Sequence, residues 1–278
     1  MAELVGAFAA SHAPLVARDW HLLPAPTRAR LSAAYRALGR RIEAARPDVM
    51  VEVAPDHWVN FFINNLPTVC IGVGEEHDGP PEPFLKDFPY KPLVGEPGLA
   101  QHILKTALDE DFEPSVSHRL KLDHGFCIPL LRMELARLPR LIPIVINSLE
   151  FPMPSLRRCV AWGKLIARAV ASYPDNLRVV ILTTGGLSHS IGEPTMGEID
   201  EVFDLRTIQA FEKGTEDALI SFLDKELATA GNGSHEVRNW LVAHGAAGGR
   251  GFELVDYFPV PEVYVGCGFA AWRVHQAS

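Results

Sequence analysis

The sequence predicts an α/β fold: a single domain on a largely parallel or mixed sheet flanked by helices, with its active site at the carboxyl ends of strands. Three observations lead there. Short β-branched apolar runs alternate with longer segments of helical periodicity. The 278 residues are 47% hydrophobic and 22% charged, which supplies a substantial core. No internal repeat or linker divides the chain, so residues 1–278 read as one domain.

The first strand is "LVGAFAA" (4–10). From Arg28 to Ala45 the apolar positions Leu31, Ala34, Tyr35, Leu38 and Ile42 share one helix face, and Pro47 stops the helix. "DVMVEVA" (48–54) and "TVCIGVG" (68–74) are the next strands. A Pro- and Gly-rich arm (74–98) follows, too long for a plain connector and therefore read as functional. A helix resumes over 99–108, and "LDHGFCIPLL" (122–131) opens another helical run. "RLIPIVINSL" (140–149) is a strand, and Ser155 caps a helix striped by Leu156, Val160, Gly163, Ala167 and Val170. The run "LRVVIL" (177–182) is an interior strand. One helical region is expected over 198–227 and another from Ser234 to the glycines at 248 and 249. The strands "FELVDYF" (252–258) and "VYVGCGFAAW" (263–272) close the chain.

Composition excludes some functions. A net charge of −8 with no basic block argues against nucleic-acid binding. No stretch approaches the roughly 20 apolar residues that span a bilayer. The N-terminus lacks a basic segment and Glu3 interrupts it, so it is not read as a signal peptide. Cys70, Cys127, Cys159 and Cys267 are scattered, without a C-x-x-C pair, which fits free thiols in a reducing cytoplasm.

Chemistry concentrates at strand ends, where open α/β sheets place their sites. His12 follows the first strand, His57 the second, and His189 follows "LTTGGLS". A single histidine there is ordinary; three together point to a shared site. Two imidazoles and one carboxylate make the facial triad of non-haem Fe(II) enzymes. His12 and His57 are the natural pair. The carboxylate is open among Glu236, Asp56 and Asp123, with Asp56 better suited to orienting an imidazole. His124, beside Asp123, reads equally as a site residue or a helix-start polar group. Competing motifs are missing: "GGLSHS" is no nucleophile elbow, "HEVRN" is no zincin helix, and there is no P-loop or G-x-G-x-x-G.

Taken in order, "SHAPL", "APDHWVNFF", "PTVCIGVG", "LDHGFCIPL", "TTGGLSHS" and "SHEVRNWLVA" resemble the class III extradiol ring-cleavage dioxygenases. The likeness is strongest to the catalytic β subunits of protocatechuate 4,5-dioxygenases. It runs from residue 11 to about 246, and "PVPEVYVGCGF" resembles the family's last strand. The resemblance implies Fe(II) held by His12, His57 and Glu236, with His189 as acid/base and His124 as a second active-site histidine. It also implies a catechol substrate with an acidic ring substituent (protocatechuate, gallate or a methylgallate), O2 as co-substrate, and a hydroxymuconic semialdehyde-type product. A 2,3-dihydroxyphenylpropionate-type dioxygenase is the alternative within the family. Outside it stand a metal-free binding protein on the same fold and a zinc hydrolase. A small helical α subunit or a homo-oligomer is the expected partner. The 74–98 arm and the turn at Pro261–Tyr264 are expected to shape the substrate pocket.

Overall fold

A computed structural model describes residues 1–274. The chain opens with β1 (Glu3–Ala10), the short α1 (Leu15–Arg18), the long α2 (Ala25–Ala45) and β2 (Val49–Ala54). Then come β3 (Val69–Gly72), the two-residue strands β4 (Glu76–His77) and β5 (Leu93–Val94), α3 (Pro97–Asp109) and β6 (Ser115–Ser117). The middle holds α4 (His124–Met133), β7 (Arg140–Ile146), α5 (Leu156–Ser172) and β8 (Arg178–Thr184). Helices α6 (Glu201–Lys213), α7 (Glu216–Glu226) and α8 (Val237–Ala246) precede the closing hairpin of β9 (Phe252–Val260) and β10 (Val265–Trp272).

Eight strands form one mixed sheet in the order β6-β3-β7-β2-β8-β1-β10-β9. Its centre is parallel: β2 pairs with β7 and β8, and β1 with β8. Strand β10 runs antiparallel to β1, and β9 antiparallel to β10. The period of two along β2 sends Val49, Val51 and Val53 into one core and Met50 and Ala54 into the other. The first core is covered by α3, α5, α6, α7 and α8, the second by α2 and α4. Burial on both faces explains why the central strands are continuous apolar runs. All four cysteines are buried and free.

Every strand expected from the sequence is present, and three short ones are additional. β6 is a polar three-residue edge strand, and β4 pairs with β5 inside the Pro-rich arm. Leu85, Phe88 and Leu93 are buried and fasten that arm to the second core. The single helix expected over 198–227 is two, because the chain turns at Gly214 and Thr215 caps α7 by accepting the Ala218 N–H. The Ser155 cap is present, accepting the Arg158 N–H at 3.2 Å.

Helix α8 carries a buried histidine whose job is packing. His244 Nδ1 accepts the Trp272 indole N–H at 3.3 Å, and its ring meets Phe211 edge-on. Burial pushes this imidazole down to about 4. The unfolded chain takes up a proton near the ordinary 6.5 that the folded chain refuses, so stability is lost as pH falls through that window. In metal-free protein, His244→Leu should flatten the loss of stability below about pH 6.5 by up to about 1.4 kcal/mol per pH unit. Losing the Trp272 partner lowers absolute stability at every pH, so the slope is the readout. Thermal unfolding across about pH 5 to 7 measures it, and an unchanged slope would remove His244 from the acid response.

Candidate active site

Three parallel strand ends deliver the site. After β1, the Ser11 N–H donates to the Gly268 carbonyl at 3.0 Å and the Tyr35 hydroxyl donates to the Ser11 carbonyl at 2.7 Å, which fixes the backbone before His12. After β2, the Asp56 carboxylate accepts backbone N–H groups from Val59, Asn60 and Phe61 and folds the loop that carries His57. After β8, Gly185 and Gly186 have φ of 119° and 63°, conformations a side chain rarely adopts. A Cβ on Gly185 would also lie 2.7 Å from Glu236 Oε2. Glu236 ends a 3-10 turn (Asn232–Glu236) that leads into α8, and its Oε2 accepts the Gly186 N–H at 2.7 Å.

Each imidazole is oriented through Nδ1. His12 Nδ1 lies 3.0 Å from Thr184 Oγ1, and His57 Nδ1 lies 3.1 Å from Asp123 Oδ2. His124 Nδ1 is 2.8 Å from Glu82 Oε1, and His189 Nδ1 is 2.9 Å from the Leu187 carbonyl. With Nδ1–H as the donor in each pair, Nε2 is the nitrogen left to bind an ion or exchange a proton. The Nε2 atoms of His12 and His57 stand 3.4 and 3.5 Å from Glu236 Oε1, and that of His189 is 3.9 Å from Oε2.

Those distances exceed the 2.7–2.9 Å of a tight charge-assisted hydrogen bond. They match two donors sharing an ion: bonds of about 2.1 Å at roughly 105° separate donor atoms by about 3.3 Å. The donor set of two imidazoles and a carboxylate therefore fits a divalent metal. His12, His57 and His124 also bring ligand atoms within 4.8 Å of one another, a three-histidine alternative. The rings of His57 and His124 are 4.0 Å apart between centroids.

The electrostatics suit metal binding. Burial lowers His12 and keeps it neutral, against the pull of Glu236. His57 is half-buried, and Asp123 and then Glu236 overcome its partial desolvation and raise it to about 10, so an incoming ion must displace a proton there. Burial opposes ionisation of Glu236, yet the facing His12 and His189 hold its carboxyl well below the usual range. Asp123 stays ionised against its own burial through His57.

These groups form the floor of a cavity of about 540 Å³ walled by Leu15, Trp58, Leu149, Ile191, Met196 and Tyr264. The family described as the catalytic LigB subunit of aromatic ring-opening dioxygenase matches residues 6–267. The chain belongs to this extradiol dioxygenase family. Among its relatives is a 2,3-dihydroxyphenylpropionate/2,3-dihydroxicinnamic acid 1,2-dioxygenase from Burkholderia vietnamiensis (strain G4 / LMG 22486), 28% identical over 308 residues, or 93% of this chain and 94% of the relative. A protein of the same name from Paraburkholderia phymatum is 30% identical over 318 residues, 96% of each chain. An uncharacterized protein from Escherichia coli K12, of known crystal structure, shares the fold at a TM-score of 0.63 and 15% identity, covering 96% of this chain and 99% of that one. The protein is thus an extradiol catechol dioxygenase of a metal-dependent family. The names of these relatives match the 2,3-dihydroxyphenylpropionate alternative better than the protocatechuate reading.

All five histidine and glutamate candidates from the sequence converge: His12, His57, His124, His189 and Glu236 all line the cavity. Asp56 does not orient an imidazole, because turn N–H groups occupy it; Asp123 does so instead. The turn at Pro261–Tyr264 contributes Val263 and Tyr264 to the cavity wall. The 74–98 arm is absent from the lining among the described residues, but it supplies Glu82 to His124. Sequence reading missed Thr184 and Glu82. It also missed Asp204, fully buried, which accepts the Ser188 N–H at 2.8 Å and hydroxyls from Ser188 and Tyr257. "TTGG" was a usable signal for Thr184; Glu82 and Asp204 had none nearby in sequence.

The His189 ring lies flat against Gly233, where any Cβ would strike it. Gly233→Ala should therefore displace His189 and depress turnover while metal content stays at the wild-type level. Metal analysis beside oxygen uptake on the same sample checks this, and an undiminished kcat would show that the ring has room to move.

Proposed function

We propose that this dioxygenase holds Fe(II) through His12, His57 and Glu236 and cleaves a catechol bearing an acidic side chain, of the 2,3-dihydroxyphenylpropionate type. The observation that carries the reading is the convergence of the His12 and His57 Nε2 atoms on Glu236 Oε1, with both Nδ1 atoms already engaged. The metal-free binding protein is the weaker reading, since such a protein has no use for a buried carboxylate kept ionised among imidazoles.

When bound, Fe(II) supplies the Lewis-acidic, redox-active centre that brings a catecholate together with O2. Two neutral imidazoles and one carboxylate leave a divalent site with one net positive charge, which favours a catecholate over a neutral phenol. Asp123 withdraws the Nδ1 proton density of His57 and makes its Nε2 a stronger donor. His189 presents a free Nε2 at the cavity while Leu187 holds its Nδ1–H. It accepts a phenolic proton as the catechol binds and returns it as the ring opens beside the diol. His124, held by Glu82, lines the same cavity and offers its Nε2 to a substrate oxygen. The apolar wall strips water from the ring face and so strengthens these polar contacts. We place the enzyme in the cytoplasm on the strength of its free thiols. Whether a second copy or a small helical subunit covers the cavity is decided by the mass of the active species.

Two outcomes follow. His12→Ala, His57→Ala and Glu236→Ala should each lose iron, whereas His189→Ala should keep iron and lose turnover roughly 10²- to 10⁴-fold. Iron retained in Glu236→Ala but lost in His124→Ala would replace the carboxylate triad with the three-histidine set. Separately, chelator-treated enzyme should recover oxygen uptake on 3-(2,3-dihydroxyphenyl)propionate with Fe(II) and ascorbate, and not with Zn(II). Across a panel of catechols, a higher kcat/KM for unsubstituted catechol than for every acidic one would overturn the substrate assignment and leave the metal site intact.

A further inference from the structure

We propose that Arg18, seconded by the Tyr264 hydroxyl, recognises the acidic side chain of the catechol; this rests on the substrate reading above. A carboxylate entering a mainly apolar cavity loses hydration, and the loss must be matched by a cation or aligned donors. Among the described residues lining the cavity, Arg18 is the one guanidinium or ammonium group. It sits at the last position of α1, six residues beyond His12, so the turn that presents a metal ligand also presents the cation.

The guanidinium is more than half exposed at the rim of the cavity and pairs with its neighbour Asp19. Its Nε and Nη2 donate to Asp19 at 3.0 and 2.8 Å, a two-point contact that fixes the plane of the fork. Nη1 makes no hydrogen bond among the described residues and is left for an incoming group. Tyr264, in the turn before β10, has a left-handed backbone (φ 63°) and lines the same cavity as Arg18. Its hydroxyl has no partner among the described residues. Glu150 lines the cavity too, and its charge repels a carboxylate. The acidic substituent is therefore directed toward α1 and Tyr264 and away from Glu150. That orientation also fixes which ring carbons face the metal and His189.

The test compares 3-(2,3-dihydroxyphenyl)propionate with its methyl ester, which has the same ring and no charge. In Arg18→Gln the ratio of kcat/KM for acid over ester should fall on the order of 10-fold, through KM. Arg18→Lys should recover part of it, since the charge remains while the fork is lost. Tyr264→Phe should lower the ratio by a smaller factor. Equal losses on acid and ester, or no loss on either, overturn the assignment. Binding is read independently by quenching of tryptophan fluorescence as the acid is added, with Trp58 in the cavity wall as reporter. Wild-type binding that Arg18→Gln abolishes, with no turnover of either compound, would uphold Arg18 and overturn the substrate reading. Wild-type affinity for the acid retained in Arg18→Gln would overturn the role of Arg18.

Discussion

The site depends on one constraint: every active-site imidazole has its Nδ1 engaged, so that Nε2 alone is left to act. Thr184, Asp123, Glu82 and the Leu187 carbonyl each occupy one ring. A buried imidazole with both nitrogens free would choose its tautomer by chance and rotate about χ2. These four cannot do so without breaking a hydrogen bond, which costs roughly 1–3 kcal/mol where, as at buried His12 and His189, the partner is left unsatisfied. The metal-binding geometry is therefore built before any metal arrives.

The partners of those rings come from structure unrelated to catalysis. Thr184 is the last residue of β8, whose apolar run exists to fill two cores. Asp123 caps α4 by accepting the Gly125 N–H at 2.8 Å, so the carboxylate that polarises His57 also starts a helix. Glu236 is steadied by the Gly186 N–H from the turn after β8. The loop with His189 is tied down on both sides. Asp204 at the start of α6 holds Ser188, while Leu187 and Ser188 exchange backbone hydrogen bonds with Gly266 of β10. Asp204 is itself held by Tyr257 of β9, so helix, loop and hairpin share one buried carboxylate.

The parts of this arrangement that sequence reveals are those where a polar residue interrupts an apolar run. His12, His57 and His189 stand out because each follows an apolar strand run, and the pattern that identified the strands also located their ends. The ligand carboxylate was not decidable that way. Glu236, Asp56 and Asp123 all sit at turns or helix starts, where acidic residues are common for reasons of capping and dipole. In the folded chain turn N–H groups occupy Asp56, His57 occupies Asp123, and Glu236 lies between the imidazoles, which is what supports proposing it as the ligand. Glu82 was invisible because it reaches His124 from 42 positions away, inside an arm with no periodicity. β4, β5 and β6 escaped notice because two or three residues carry no pattern.

The last hairpin departs from the parallel centre of the sheet, and the departure has a consequence for what the wall of the cavity can tolerate. A strand antiparallel to its neighbours starts where they end, so β10 begins at the very edge where β1 and β8 terminate. The connection from β9 therefore returns to the mouth of the cavity instead of the far side of the sheet. That connection carries Val263 and Tyr264 but none of the groups that converge on Glu236. Insertions, deletions and substitutions there can remodel what the cavity accepts without shifting the register of β1, β2 or β8. A change in that connection therefore alters one wall of the cavity while the strand ends that carry His12, His57 and Thr184 keep their places.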